Sequence, residues 1–331
     1  MESRERGGPL ALVGDVGGTN CRLALLSFDG AVRARWRCGT DDFPGPAEAI
    51  EAFLSSEAVA LGDQRADYAA IAIAAPTGAE SVQLTNSPWR FDRALIEARF
   101  GLRKALLVND LAAQARAVID APSTAFIAIG GPSLEAFCGA VAVVGPGTGL
   151  GVARVDMVHR AVTATEGGHV GFAPNDDVEM DLLRFWRPHL GRVTNEHVIS
   201  GPGLVRVYRA LAALKDRRAE AIEGPEIMRR ALERQDEACV DAVERFAKIF
   251  GAVCADIVLA QGASSLALVG GIAEAMAPIL RQGGFRARFE QRGPGGAYLA
   301  STASVLVAMA DLGLRGALAC LQDALAAEEH P

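Results

Sequence analysis

One pattern occurs twice in this chain, and it constrains the fold more than any other feature. Leu10–Val13 is an apolar run, Gly14-Asp15-Val16-Gly17-Gly18-Thr19-Asn20 reads as a turn, and Leu23–Leu26 is apolar again. Ala140–Val144, Gly145-Pro146-Gly147-Thr148-Gly149-Leu150-Gly151 and Val152–Val155 repeat that order. Each unit reads as strand, Gly-rich turn, strand: a hairpin whose tip offers mostly backbone and hydroxyl groups. The copies lie about 130 residues apart, close to one domain length. That spacing points to a duplicated domain with paired loops facing one cleft.

The rest of the chain alternates strand and helix signals. Tyr68–Ala75 reads as a buried strand closed by Pro76-Thr77-Gly78, and Ala105–Val108 as a short strand before Asn109-Asp110 and a helix to about Ile119. Val243, Phe246, Ala247, Phe250, Val253, Cys254 and Ile257 recur at helical spacing. Leu266–Val269 then reads as a strand, Gly270-Gly271 as a turn and Ile272–Leu280 as a helix. This alternation predicts an α/β fold, and 331 residues allow roughly two domains.

Composition removes several function classes. The net charge is −7, which gives no broad basic footprint for nucleic acid. Lys104, Lys215 and Lys248 are the only lysines and none follows a glycine, so a Walker-type GxxxxGK[ST] phosphate loop is excluded. The six cysteines contain no CxxC pair, against a zinc site and in favour of reduced thiols. The opening residues do not resemble a signal peptide, and the most apolar later stretch, Ala263–Leu280, is broken by Glu274 and Gly-Gly. The expectation is a cytoplasmic globular protein with no membrane partner.

The two tips expose backbone N–H groups suited to polyphosphate, with Thr19 and Thr148 as hydroxyl donors and Asp15 able to hold magnesium through its water shell. Tight turning alone is the competing explanation of the glycines, and it weakens when two loops share one chemistry. Asn109-Asp110, where a strand gives way to a helix, reads either as an N-cap or as a carboxylate placed to take a hydroxyl proton. Glu166-Gly167-Gly168-His169 reads as a loop offering a carboxylate and an imidazole to a polyol, or as a surface loop of chance polarity. Glu196, before Val198-Ile199 and Ser200-Gly201-Pro202-Gly203, is a weaker candidate. Gly270-Gly271 fits equally an adenosine lying against backbone and plain strand–helix packing.

Together these segments resemble the bacterial glucokinase family, the non-ROK branch of the actin-like sugar kinases. The matching stretches are LVGDVGGTNCRLALL (12–26), LTNSPWRF (84–91), VND (108–110), GPGTGLGVA (145–153), EGGHVGFAP (166–174), VISGPGL (198–204), GGI (270–272) and GGFRARF (283–289). The resemblance implies a two-domain actin-like ATPase (ribonuclease H-like) fold with a sugar cleft. It implies a small domain at 1–115, a large one at 116–303, and a C-terminal helix from about Ser304 to 331 packing back on the small domain. Gly14, Asp15, Val16, Gly17, Gly18 and Thr19, with Gly147, Thr148 and Gly149, match the phosphate loops. Asn109, Asp110, Glu166, His169 and Glu196 match the sugar contacts with Asp110 as base, and Asn86 falls in a cleft segment.

The implied reaction is ATP- and Mg2+-dependent phosphorylation of the glucose 6-hydroxyl by a homodimer, with adenosine near Gly270-Gly271. The alternatives are a kinase for fructose, mannose or glucosamine, and a catalytically silent sugar-binding regulator. Retention of Asp110 and both loops speaks against the regulator. The family often has an acid after His-Val, where this chain has Gly171.

Overall fold

A computed structural model describes residues 9–56, 59, 65–75, 77, 81–84 and 87–329. The chain divides into two compact units, Met1–Asp120 with Met309–Pro331, and Ala121–Ala308.

The first unit contains β1 (Leu10–Val16), β2 (Asn20–Ser27), β3 (Val32–Gly39), α1 (Pro46–Leu54), β4 (Ala66–Ile73), the small β5 (Ser81–Gln83) and β6 (Arg90–Asp92) ribbon, α2 (Arg93–Phe100), β7 (Lys104–Asn109) and α3 (Asp110–Asp120). Its main sheet runs β3-β2-β1-β4-β7. β1 and β2 form the first hairpin, and β1, β4 and β7 are parallel. Val16 pairs with Ile73 and Ile73 with Asn109, so three strands end in one row. Chain leaving the carboxyl ends of parallel strands is where α/β proteins build sites.

The second unit repeats this arrangement. It holds β8 (Phe126–Gly130), β9 (Ala140–Pro146), β10 (Leu150–Asp156), β11 (Ala161–Thr165), α4 (Asp177–Leu190), α5 (Asn195–Val198), α6 (Gly201–Leu214), α7 (Gly224–Leu232), α8 (Glu237–Gln261), β12 (Ser265–Leu268), α9 (Gly271–Ala275), α10 (Ala277–Leu280), α11 (Gly284–Glu290), α12 (Gly296–Ala300) and β13 (Ala303–Val307). The sheet order is β11-β10-β9-β12-β13-β8. Three antiparallel strands followed by parallel neighbours recur as in the first unit, with β8 added antiparallel at the edge. α8 buries Phe246, Phe250 and Val253 against Val144, Leu268 and Phe285. The chain ends in α13 (Leu312–Glu329), which belongs to the first unit.

Three expectations change in detail. The turns are shorter than read: Gly14, Asp15 and Val16 lie in β1, and Gly145 and Pro146 in β9. Only Gly17–Thr19 and Gly147–Gly149 form the tips, because strand pairing continues through Val16↔Cys21 and Pro146↔Leu150. The helix expected over Ile272–Leu280 is two short helices divided at Met276, with Pro278 in the first turn of the second. Proline lacks the N–H needed inside a helix and suits its start. Ser304 lies in the fully buried strand β13, and the C-terminal helix starts at Leu312. The β-branched and apolar ASVLV run suits a strand with both faces covered.

α13 crosses α3 on one face of the first sheet, burying Leu314, Ala317, Leu318 and Leu321 with Ala11, Val13, Ala70 and Ala113. Arg116 of α3 donates to both carboxylate oxygens of Asp323, at 2.5 and 3.0 Å. A methyl group on Gly316 would overlap the Ala113 carbonyl oxygen, so this glycine sets how closely the helices approach. Gly316→Ala should therefore destabilise the first unit by about 2 kcal/mol or more, the scale of overpacking in a tight core. Urea unfolding of this variant beside wild type measures it.

Candidate active site

In the first unit the site grows from the row where β1, β4 and β7 end. Thr40 holds the first tip: its N–H donates to Thr19 O (3.1 Å) and its hydroxyl to Gly18 O (2.8 Å). Gly17 N–H donates to Asn20 O. Thr19 stands exposed. Asp15 faces the first turn of α13, where a methyl on Gly313 would come within 2.8 Å of its carboxylate. Arg22, directly opposite Asp15 in the hairpin register, approaches it at 3.4 Å. Burial, outweighing the nearby arginine and helped by Asp311, pushes the Asp15 carboxyl above its usual range.

Asn109 and Asp110 have separate roles. Asn109 Oδ1 accepts from Ala112 N–H at 3.0 Å, so Asn109 caps α3, while its Nδ2 donates to Ala75 O. Asp110 Oδ1 accepts from Leu111 N–H at 2.8 Å. Burial raises the Asp110 carboxyl to about 6, with the Asp15 charge adding to the effect. Asn86 lies outside the described residues.

In the second unit four segments converge. Gly147 and Thr148 are exposed at the second tip, and Gly147 O accepts from Gly201 N–H at the start of α6. Gly270 sits beside this tip at φ +90°, near Pro146 O, while a methyl on Gly271 would meet nothing within 4 Å. The left-handed conformation explains why glycine is needed at 270. Open space over 271 leaves room for a ligand against the backbone.

Gly167–His169 forms a single 3-10 turn after Glu166, and His169 Nδ1 lies 3.0 Å from Glu166 Oε2. A methyl on Gly168 would overlap Leu150 O, so the turn lies directly on the strand leaving the second tip. Glu196 ties these pieces together. Its Oε2 accepts from Leu150 N–H at 2.9 Å, and its Oε1 lies 3.8 Å from His169 Nε2. α5, which carries Glu196, enters through Thr194 N–H donating to His197 Nδ1.

Sequence reading did not find the Glu196–Leu150 bond, since a backbone donor leaves no mark in the side-chain pattern. It also passed over Arg22, although hairpin register with a three-residue tip places Arg22 opposite Asp15. Gly171, at the position where the resembled family often has an acid, bridges to Thr194, and a side chain there would meet Arg192 at 3.5 Å. The arginines of GGFRARF are structural. Arg286 donates to Leu299 O, Ala300 O, Thr302 O and Ser304 Oγ, and Arg288 pairs with Asp176 and the buried Glu179.

The glucokinase family model matches residues 12–324. The chain belongs to the glucokinase family. Among curated glucokinases it is 38% identical to that of Pectobacterium atrosepticum over 319 residues, covering 95% of this chain and 97% of the relative. It is 38% identical to that of Caulobacter vibrioides over 305 residues, covering 88% and 89%. The solved glucokinase from an Antarctic psychrotroph superposes with a TM-score of 0.81 at 30% identity, covering 96% of this chain and all of that one. The fold is thus the two-domain actin-like ATPase fold of glucokinases and related sugar kinases.

Two outcomes follow from this geometry. Asp110 holds its proton in the folded state up to about pH 6 but releases it near 3.8 when unfolded, so its ionisation penalises folding as pH rises through that window. Asp110→Asn should raise Tm at pH 7.5 by about 2 °C or more, and the gain should vanish near pH 4, as scanning calorimetry at the two pH values would register. Gly168→Ala should push the Glu166–His169 turn off Leu150 and destabilise the second unit by about 1–3 kcal/mol, the scale of overpacking, as urea unfolding would register.

Proposed function

We propose that this chain transfers the γ-phosphoryl group of ATP to the 6-hydroxyl of glucose, giving glucose 6-phosphate and ADP. Family membership supports the reaction class. The division of work between Asn109 and Asp110 carries the catalytic assignment. Because Asn109 caps the helix, Asp110 is not required there, and a buried carboxyl titrating near 6 is an effective general base close to neutral pH. In this reading Asp110 takes the proton of the 6-hydroxyl as its oxygen attacks phosphorus.

The first tip, Gly17–Thr19 with Gly14–Val16 behind it, and the second tip, Gly147–Gly149, offer N–H and hydroxyl donors to the phosphates. Gly270-Gly271 takes the adenosine side. Glu166, His169 and Glu196 orient the sugar by accepting from and donating to its hydroxyls, with Asn109 and Asn86 as further contacts. Phosphoryl transfer depends mainly on such positioning and on charge stabilisation.

Asp15 fits a magnesium ion held through water. Its carboxylate is half-buried, its arginine partner forms only a weak, exposed pair at 3.4 Å, and a nearby dication would favour the ionised form that burial disfavours. When bound, magnesium neutralises phosphate charge. The family likeness also supports a cytoplasmic homodimer, which light scattering of the purified chain tests.

Asp110→Asn should lower kcat by about 10²–10⁴-fold, with glucose affinity by calorimetry changing far less, since an amide still hydrogen-bonds the hydroxyl. Retention of more than about a tenth of wild-type kcat would remove Asp110 as the base. Wild-type kcat/KM should fall as pH drops below about 6. Galactose, which inverts one hydroxyl, should be rejected by about 10⁴-fold in kcat/KM because polar groups that the bound sugar covers are then left without partners; comparable values for the two sugars would overturn the role of the Glu166–His169 turn.

A further inference from the structure

Cys21 and Cys38 lie directly opposite each other on β2 and β3. Opposed residues in an antiparallel pair point to the same face, with Cα atoms ~4.5 or ~5.5 Å apart, and both spacings fall within the range a disulfide spans. Both side chains belong to the core side of the sheet, Cys21 within the core and Cys38 packed at its edge. Cys21 is 1% exposed, whereas Cys38 is partly open to solvent. The pair also sits beside the first tip. Cys21 is two residues past Thr19, and Thr40, two residues past Cys38, holds Gly18 O and Thr19 O.

We propose that Cys21 and Cys38 form a dithiol exchange site for small-molecule disulfides, closing to an intrachain bond that ties β2 to β3 beside the first tip. Cys38, the more accessible sulfur, attacks one sulfur of the small disulfide. The S–S bond breaks, one thiol leaves, and a mixed disulfide remains on Cys38. Cys21 then attacks Cys38 Sγ, and the second small thiol leaves. Two protein thiols are oxidised, the small disulfide is reduced to two thiols, and the two cysteine protons end on the products.

Burial raises both thiols, most strongly Cys21, so the exchange is slow near neutrality and faster in alkali. The new bond shifts the end of β3, and Thr40 passes that shift to the carbonyls of the tip. This consequence rests on the phosphate-binding reading of the tip; the exchange itself does not.

Incubation of the folded enzyme with oxidised glutathione at mildly alkaline pH, then alkylation and peptide mass spectrometry, tests the site. The expected product is a peptide pair linked through Cys21 and Cys38, with loss of both thiols from alkylation, while exposed Cys138 carries only a glutathione adduct. The linked enzyme should show a several-fold higher KM for ATP, reversed by dithiothreitol, and Cys38→Ser should abolish both effects while keeping the reduced enzyme's activity. A stable glutathione adduct on Cys38 without linkage would overturn the proposal. Linkage with unchanged KM for ATP would overturn its coupling to the tip. Neither result bears on the kinase reading, which the activity of the reduced enzyme tests separately.

Discussion

Register between β1 and its parallel neighbours decides what this chain can do in its first unit. Because Val16, Ile73 and Asn109 end in one row, the first tip and the start of α3 emerge side by side. Asp15 then lies close enough to Asp110 for its charge to oppose the ionisation of Asp110. A shift of one residue in the pairing of β1 with β4 would turn Asp15 to the opposite face of the sheet, and one between β4 and β7 would take Asn109 out of the row. Leu12 and Val16 belong to the core on one side of β1, and Ala11 and Val13 to the layer beneath α13 on the other. Apolar packing on both faces therefore holds the carboxylates where they are.

Burying two acids costs free energy, and the surroundings offset only part of it. Arg22 lies at 3.4 Å from Asp15, a weak ion pair, and Leu111 N–H is the donor to Asp110. A group left under-compensated in the free protein gains more from a partner that arrives later, which in the proposed reading is a dication at Asp15 and a proton at Asp110. The fold tolerates this penalty because α3 and α13 are clamped elsewhere, by Arg116 with Asp120 and Asp323 and by close approach at Gly316. Stability is supplied away from the carboxylates, and the strained electrostatics stay local.

The duplicated hairpin was readable because it combines apolar runs of strand length with glycines at one spacing, and both sheets carry it in the same order of strands. The helix from Asp110 and the long α8 were readable because their buried residues keep helical spacing. Boundaries were less so. Gly14 belongs to a strand although glycine suggested a turn, because Ile71 and Leu23 pack where its side chain would be. Ser304 belongs to a strand because the run around it has both faces covered, a tertiary fact that five residues do not encode. The N-cap ambiguity at Asn109-Asp110 required atoms: either side chain suits a cap, and only the 3.0 Å bond from Ala112 N–H assigns it.

Glu196 shows how a residue weak in isolation acquires meaning. As a lone acid before an apolar pair it had little to distinguish it, yet its two oxygens reach toward different segments, Leu150 N–H on one side and His169 on the other. Gly149 and Gly168 make this possible, because a methyl on Gly149 would overlap Glu196 Oε2 and one on Gly168 would overlap Leu150 O. The second tip thus serves two ends: an exposed surface at Gly147 and Thr148, with Gly147 N–H bonded across the tip to Gly149 O, and close packing at Gly149. Movement of the tip must be felt at the Glu166–His169 turn, since both rest on Leu150, one through its N–H and one against its carbonyl. In the second unit, the phosphate-type loop and the polyol-type loop are therefore a single mechanical element joined at one residue, and the copy of the hairpin in the first unit reaches its own carboxylates through strand register instead.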